Sequence, residues 1–454
     1  MKELFLASIL LLFALKSSNA QIIINVQSPA TAASVVTNNF ITSGAGTVTN
    51  VVLNAPFTGR FATFSGTSNL GVSNGIVLST GNTANIPNPH SMQIDDGFNC
   101  GPFYPIQCPD AQLQALTPTN SINDATTLLF DFQPATDTIR FQYVFGSEEY
   151  PEYVCHINDV FGFFVNGSNP AGGSYFNKNV ALIPNTNMPV SVNSVNPGIP
   201  GSASGGGVCS GPGESLAYSA YYVSNFDSTI IFDGFTTVLD VTIPVVVLDT
   251  YQIKLGVCNA KDGIFESAAF LRDNTFGGNA PRIAIANTPG ITISNDTVFV
   301  CNGGTVTFSS PKAVAYNWST GSTTQSITLN QPVISQTVNC MLSNPVTPAF
   351  LGMAPVYLVA DNSCTVSLNE MNAEADIKLN FNANSNELNL SSKHALPEGT
   401  IFKIYNMSGS KMVDFKTGME DSSFLIPLQN INSGIYIVHV YNKNINLTKR
   451  FEKF

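Results

Sequence analysis

Apolar side chains recur at every second position along most of this chain, in short runs closed by clusters of glycine, proline and asparagine. That period puts alternate side chains on opposite faces of a pleated strand, and no stretch carries the 3.6-residue period of an amphipathic helix. The clearest runs are residues 125–132, 138–145, 159–165, 229–232 and 250–257. The pattern predicts an all-β chain. With 454 residues it is long enough for two to four domains, and the arrangement that buries so many half-apolar strands is a series of β-sandwiches.

The N-terminus has the three parts of a secretory leader. Lys2 supplies a positive charge, residues 4–15 are uncharged and apolar, and Ser18-Asn19-Ala20 offers small residues for cleavage after Ala20. A 1–20 signal peptide is therefore expected. The longest later apolar run, 238–248, is short, β-branched and broken by Pro244, so no transmembrane segment is expected in the mature chain. Eight cysteines suit an oxidising compartment, and none forms the CxxC pair typical of zinc-thiolate sites, so disulfides are expected. Eight cysteines allow 105 pairings; the local pair Cys100 and Cys108, bracketing a Gly/Pro-rich loop, is the one the sequence favours. Between residues 21 and 371 there are 8 Lys and Arg against 21 Asp and Glu. Phosphate contacts need clustered basic residues, so nucleic acid is not expected as a partner. An acidic body suits solubility, or cation binding.

Residues 281–366 hold short strand-like runs, cysteines on either side of the sole tryptophan, and regular turn signals. This describes a small β-sandwich with Trp318 in its core. The Cys301-Asn302-Gly303-Gly304 start and the Trp318-Ser319-Thr320-Gly321 turn are similar to Ig-like modules common in secreted proteins of Bacteroidetes. Residues 374–454 read as hairpins ending in an exposed strand of alternating basic and aromatic residues, Lys449-Arg450-Phe451-Glu452-Lys453-Phe454. Ile404-Tyr405-Asn406-Met407-Ser408-Gly409, the turn from Leu428 into Gly434-Ile435-Tyr436-Ile437-Val438, and the basic last strand with Lys449 and Arg450 closely resemble the C-terminal sorting domain of the type IX secretion system. The resemblance implies recognition by that machinery, passage across the outer membrane, removal of the domain, and release or attachment at the cell surface. Gly434 also has a local reason, since a residue leaving a turn into a strand often needs positive φ.

The densest stretch lies in residues 21–280. An aromatic strand ends at Gly146-Ser147, Glu148, Glu149 and Glu152 follow, and a second aromatic strand starts from Asn158-Asp159. Gly75-Ile76-Val77-Leu78-Ser79-Thr80-Gly81, Asn123-Asp124-Ala125, Phe145-Gly146-Ser147-Glu148-Glu149-Tyr150, Asn158-Asp159-Val160-Phe161 and Asp233-Gly234-Phe235-Thr236 closely resemble the choice-of-anchor L domain of bacterial secreted proteins. The resemblance brings no defined activity. One departure is Glu266-Ser267-Ala268, where Asp-Ser-Ala is the pattern. A large jelly-roll-like sandwich is the fold expected of this block.

Asp124, Glu148, Glu149, Asp159 and Asp262 fall at strand ends, where sandwich loops converge. Calcium takes six to eight oxygens from carboxylates, amides and carbonyls, so a calcium site built from a subset of the five is the functional expectation. Against it stands the plainer reading, in which Glu148 and Glu149 cap turns or face solvent. Catalytic readings fare worse. Gly71-Val72-Ser73-Asn74-Gly75 matches a nucleophile elbow, but strand-like sequence follows where a helix is required. Adjacent Glu148 and Glu149 would point to opposite faces of a strand. The four histidines, His90, His156, His394 and His439, share no metal spacing. The expected role is a non-catalytic binding or adhesion protein with an extracellular glycan or protein ligand. The alternatives are a structural component of the surface or matrix and, behind that, a secreted hydrolase.

Overall fold

The computed structural model describes residues 22–88, 99–118, 120–205, 207–225, 230–332, 334–365, 377–383, 385–418, 421–442 and 446–453. The leader, its cleavage point at Ala20, and His90 lie outside them. The protein is all-β and multi-domain, as its pattern predicts.

The first block contributes β1 (Ile22–Val26), β2 (Gly46–Asn54), β3 (Phe61–Gly66), β4 (Asn74–Ser79), β5 (Ile122–Pro134), β6 (Thr138–Ser147), β7 (Val160–Ser168), β8 (Ser174–Asn179), β9 (Tyr222–Ser224), β10 (Gly234–Thr236), β11 (Leu239–Pro244), β12 (Tyr251–Ala260) and β13 (Ser267–Arg272). One sheet runs β1-β3-β4-β13-β6-β10-β9, with β11 also on β6; the other runs β2-β5-β12-β7-β8. Alternation decides how they meet. Phe141 and Tyr143 of β6 face Phe161 and Phe163 of β7 across the sandwich, with Phe141 stacked on Phe163 at 4.2 Å. Phe276, beyond β13, touches the rings of Phe40, Phe130, Phe132, Phe141 and Phe163.

Both sheets are also covered on their outer faces. Phe64, Val77, Val144 and Phe270 pack under Ile230, Ile231 and Phe232, while Phe164 and Cys258 pack under Leu113 of the helix Ala111–Leu116. Of the strand expected at 229–232, the described residues 230–232 form a buried plug. Asn225 Nδ2 donates to the carbonyls of Ile230 and Phe232, at 3.1 and 2.6 Å, which takes those backbone groups out of any ladder. Sheets covered on both faces explain why β4, β13 and the second half of β6 are buried at consecutive positions, while the first half of β6 alternates.

The chain forms two compact units. The first takes residues up to Ile283 with Ser310–Gln325 and Asn339–Ala354; the second takes Ala284–Ser309, Ser326–Val338 and Pro355–Phe454. The 281–366 block is therefore shared out. Its sheet Ala315–Trp318, Cys340–Asn344, Ala349–Gly352 joins the first unit, where Val247 N–H donates to Lys312 O at 2.8 Å and Asn344 Nδ2 to Leu248 O at 2.7 Å. Trp318 is core, its Nε1 donating to Thr324 O at 2.7 Å. In the second unit Cys301 and Cys364 bond across two parallel strands.

The C-terminal sheets, Ile377–Asn382/Glu387–Leu396/Asp421–Pro427 and Lys411–Lys416/Ile401–Asn406/Gly434–Tyr441/Asn446–Lys453, bury alternate residues such as Phe402, Ile404, Tyr436, Val438 and Phe451. Gly434 enters its strand at φ +157°, in the mirror-image extended region that glycine populates readily. Ile435 is half-buried, and the buried Tyr436 hydroxyl donates to Asn432 O at 2.8 Å. The basic strand is not uniformly exposed as expected. Arg450 is exposed and Lys449 half-buried, but Lys453 is buried, its Nζ donating to the carbonyls of Leu428 and Ile431. Those carbonyls close the turn ahead of Gly434, so the ammonium is satisfied by backbone rather than water.

Phe276→Ala should cost about 3–5 kcal/mol, because five rings lose a shared partner and the site cannot collapse from one side. Urea unfolding of wild type and variant would show a lower midpoint at similar slope.

Candidate functional site

The carboxylates gather at one end of the sandwich because β6 and β7, β12 and β13, and the start of β5 all open there. Opposite Val257–Asn259 the register of β5 slips between Thr126 and Asn123, leaving a bulge that contains Asp124 at φ +54°. The bulge turns Asp124 inward. Its Oδ1 accepts from Cys100 N–H at 2.9 Å and lies 3.6 Å from Arg60 Nη2, with both side chains fully buried. Gly263 leaves room for this arrangement. A Cβ there would come within 2.6 Å of Asp124 Oδ2 and 3.2 Å of both Asn99 Oδ1 and the Tyr104 hydroxyl, so three oxygens converge on one glycine.

Glu148 and Glu149 lie in the turn after β6 and are both buried, which removes the solvent-facing reading and the opposite-faces argument together. Glu148 Oε2 accepts from Glu266 N–H at 3.0 Å, and Glu148 N–H returns the bond to Glu266 O at 3.0 Å. Burial pushes the Glu148 carboxyl up to about 7, partly offset by that hydrogen bond. Glu149 differs. Neither of its carboxylate oxygens has a hydrogen-bond partner among the described residues. Burial, then Asp159, Asp262 and Glu148, drive its carboxyl far above the ordinary range, with Lys261 pulling the other way. Asp159 accepts from Ala260 N–H at 2.9 Å and Ser267 Oγ at 2.7 Å, yet burial still raises its carboxyl well above normal. Asp262, half-buried, sits next to Lys261 at the rim, its Oδ1 accepting from Ile264 N–H at 3.1 Å.

Residues not expected from sequence complete the cluster. Asn123 Nδ2 donates to Asp262 O at 2.9 Å, while its buried Oδ1 lacks a partner, as do both side-chain polar atoms of the buried Asn259. Glu266 hydrogen-bonds the Thr80 hydroxyl at 2.5 Å and packs over Gly81, which is what its extra methylene reaches. Asn123 and Glu266 fall in motifs that the sequence singles out; Arg60, just ahead of β3, and Asn259, near the end of β12, carry no local signal. Among the described residues, no three Asp, Glu, His or Cys side chains converge tightly enough to hold a metal ion as they stand.

Three disulfides, Cys100–Cys108, Cys155–Cys209 and Cys301–Cys364, are formed; Cys258 and Cys340 are buried thiols. Cys155–Cys209 pins the Gly/Ser/Pro stretch 197–213 to the turn after Glu149. Ser73 is exposed, bonds Asn74 Oδ1 at 3.0 Å, and precedes strand β4 rather than a helix. His156 lies 2.9 Å from Lys261 Nζ.

Stacked β-sheets, disulfide-tied loops and an inward-facing acidic cluster define a modular all-β protein of the cell exterior. The chain belongs to the choice-of-anchor L domain family, whose model matches residues 24–277. The secretion system C-terminal sorting domain matches residues 382–453, so the protein is exported by type IX secretion to the cell surface. Neither family is enzymatic. Among the described residues no helix is long and apolar enough to cross a membrane. No curated protein matches the chain. Among solved structures it is similar to a biofilm associated protein (BSP domain) at 7% identity, over 72% of this chain and 63% of that one, with a TM-score of 0.15. It is also similar to the human OSCAR ligand-binding domain, at 12% identity over 37% of this chain and 94% of that one, with a TM-score of 0.14. Scores this low say nothing about what the chain binds.

Arg60→Met should destabilise the fold by about 3–5 kcal/mol, since Asp124 is left as a buried charge without its guanidinium. Asp124→Asn in that background, which tolerates the left-handed backbone, should recover part of the loss in chemical denaturation. Deleting residues 382–453 should leave the product on the cell side of the outer membrane, read by fractionation.

Proposed function

We propose that the exported chain is a non-catalytic binding protein whose first domain holds its ligand-facing loops in place with calcium. The observation that carries this is Glu149. A fully buried carboxylate without a hydrogen-bond donor, facing three other acidic side chains, is costly in either state. Ionised it is unsolvated, and protonated it leaves polar atoms unpaired. A divalent cation removes both costs at once.

Calcium suits the donors better than zinc or magnesium does. They are oxygens, they come from loops as well as strand ends, and they include amides and backbone carbonyls. Glu149, Asp159 and Asp262 would supply charge. Asn123 Oδ1 and Asn259 Oδ1 stand nearby as neutral donors that lack protein partners. The ion would draw these groups closer than they stand without it. Loops that begin at Ser147, Asp159 and Ala260 would then share one anchor, and a surface held that way costs less entropy when a ligand docks. An exterior protein meets calcium routinely, and a net charge of −11 attracts it.

The ligand is an extracellular glycan or protein, and the role is adhesive. Support for a non-catalytic role comes from the two non-enzymatic families and from Ser73, which lacks the helix and partner a nucleophile requires.

Calcium should raise the melting temperature of the wild-type protein reversibly, with chelator lowering it again. At a hundredfold excess over the dissociation constant the gain is about 2.7 kcal/mol. Glu149→Gln should melt higher than wild type in chelator, because the amide need not take up a proton to be buried, and should lose most of the calcium response. An unchanged wild-type midpoint, or an equal shift in the variant, would overturn the reading.

A further inference from the structure

The Cys100–Cys108 loop displays an aromatic ring to solvent. Phe103 is 83% exposed in a segment that is otherwise tightly bound down. The disulfide closes the loop over eight residues. Gly101 N–H donates to Ile106 O at 2.9 Å, Tyr104 N–H to Gly101 O at 3.1 Å, and Gln107 Nε2 to Tyr104 O at 2.7 Å. A ring carried on so constrained a loop loses little freedom when something stacks on it.

Two open hollows adjoin this loop, of about 270 and 300 Å³, with Gln107–Asp110 as a wall common to both. Gln114 and Ile122 line one; Asn54 and Thr127 line the other. The polar side chains in the two linings are the amides Gln107, Gln114 and Asn54, the Thr127 hydroxyl and the Asp110 carboxylate, set among apolar walls. Gln114 spends its N–H groups on the carbonyls of Thr117 and Asn120, which leaves its Oε1 to accept from a ligand. Asp110 is occupied, capping the helix Ala111–Leu116 through Oδ1 and pairing with Lys254 through Oδ2. The same helix reaches a second exposed ring. Gln112 Nε2 donates to Asn177 Oδ1 at 2.8 Å, and the neighbouring Phe176, on edge strand β8, is 82% exposed.

We infer that Phe103 and the hollows beside it bind a neutral polysaccharide, with a pyranose ring lying on Phe103. The apolar C–H face of a sugar matches the face of an aromatic ring, and its hydroxyls match the few amides, Gln107, Gln114 and Asn54, set among largely apolar walls. Open, shallow hollows fit a chain passing across them better than a small molecule buried within one. Charge selects against acidic polymers, because residues 21–371 carry 21 Asp and Glu against 8 Lys and Arg. Phe176, tied to the helix Ala111–Leu116 through the neighbouring Asn177, is a second exposed ring for the chain to meet. This deepens the binding reading above by giving it a site and a ligand class.

Affinity electrophoresis of the exported chain tests it, in gels cast with a neutral β-glucan, a mannan, a xylan or, as the acidic comparison, alginate. Wild type should be retarded by at least one neutral polymer and not by alginate. Phe103→Ala should weaken that retardation at least tenfold without moving the melting temperature, Phe103→Tyr should restore it, and Phe176→Ala should weaken it less. Absence of retardation by every neutral polymer, or retardation of Phe103→Ala equal to wild type, overturns the inference. The calcium reading is judged separately by melting: a calcium-dependent midpoint with no glycan retardation sinks this inference alone. Retardation lost in Phe103→Ala with no calcium response sinks the other alone.

Discussion

The burial of several carboxyl groups at one end of the sandwich is the constraint around which the first domain is built. Glu148, Glu149 and Asp159 are each nearly or wholly removed from water, which raises the cost of ionising all three, and at Glu149 the neighbouring Asp159, Asp262 and Glu148 raise it further. A fold tolerates this only if something rigid holds the groups in place and something compensates their charge. Rigidity comes from the sandwich. The stacked rings of Phe141, Phe163 and Phe276 fix the strands whose ends carry the acids. Compensation is partial within the chain itself. Arg60 faces Asp124, the N–H of Glu266 faces Glu148, and Ser267 faces Asp159, while Glu149 finds no donor among the described residues.

Much of the fold was legible in the sequence because alternation is a direct image of the pleat. Residues 125–132 and 138–145 fall inside β5 and β6, and Trp318 packs as a lone tryptophan between strands should. Residues 230–232 have the same composition as a strand, yet they cover a sheet instead of joining it. What decides between the two is Asn225, whose amide reaches carbonyls several residues away. No local pattern records that choice. The division of residues 281–366 between two compact units is hidden for a similar reason, since it depends on backbone bonds from Val247 and Leu248 far upstream.

The site was readable as a set of strand-end acids but not as an environment. Nothing in Glu148-Glu149 says that both will be buried, because adjacent residues share a side only when the backbone leaves the strand. The turn after Ser147 does that here. Asn259 and Arg60 were invisible for the opposite reason. Each stands singly beside the end of a strand with no motif around it, and what it meets depends on a bulge in β5. Glu266 shows the intermediate case: its departure from the Asp-Ser-Ala pattern was evident, and the structure supplies the reason in Thr80 and Gly81.

The bond between Cys155 and Cys209 joins positions 54 residues apart, and the segment between them includes β7, β8 and most of the Gly/Ser/Pro stretch. Outside the cell this chain shares its medium with peptidases, and glycine- and serine-rich surface loops are where they cut. A single cut inside that span separates no fragment, because both new ends remain covalently attached and the ladders around β7 still hold. The exposed loop can therefore be nicked while the domain stays whole, which gives this surface a service life longer than its sequence composition alone would allow.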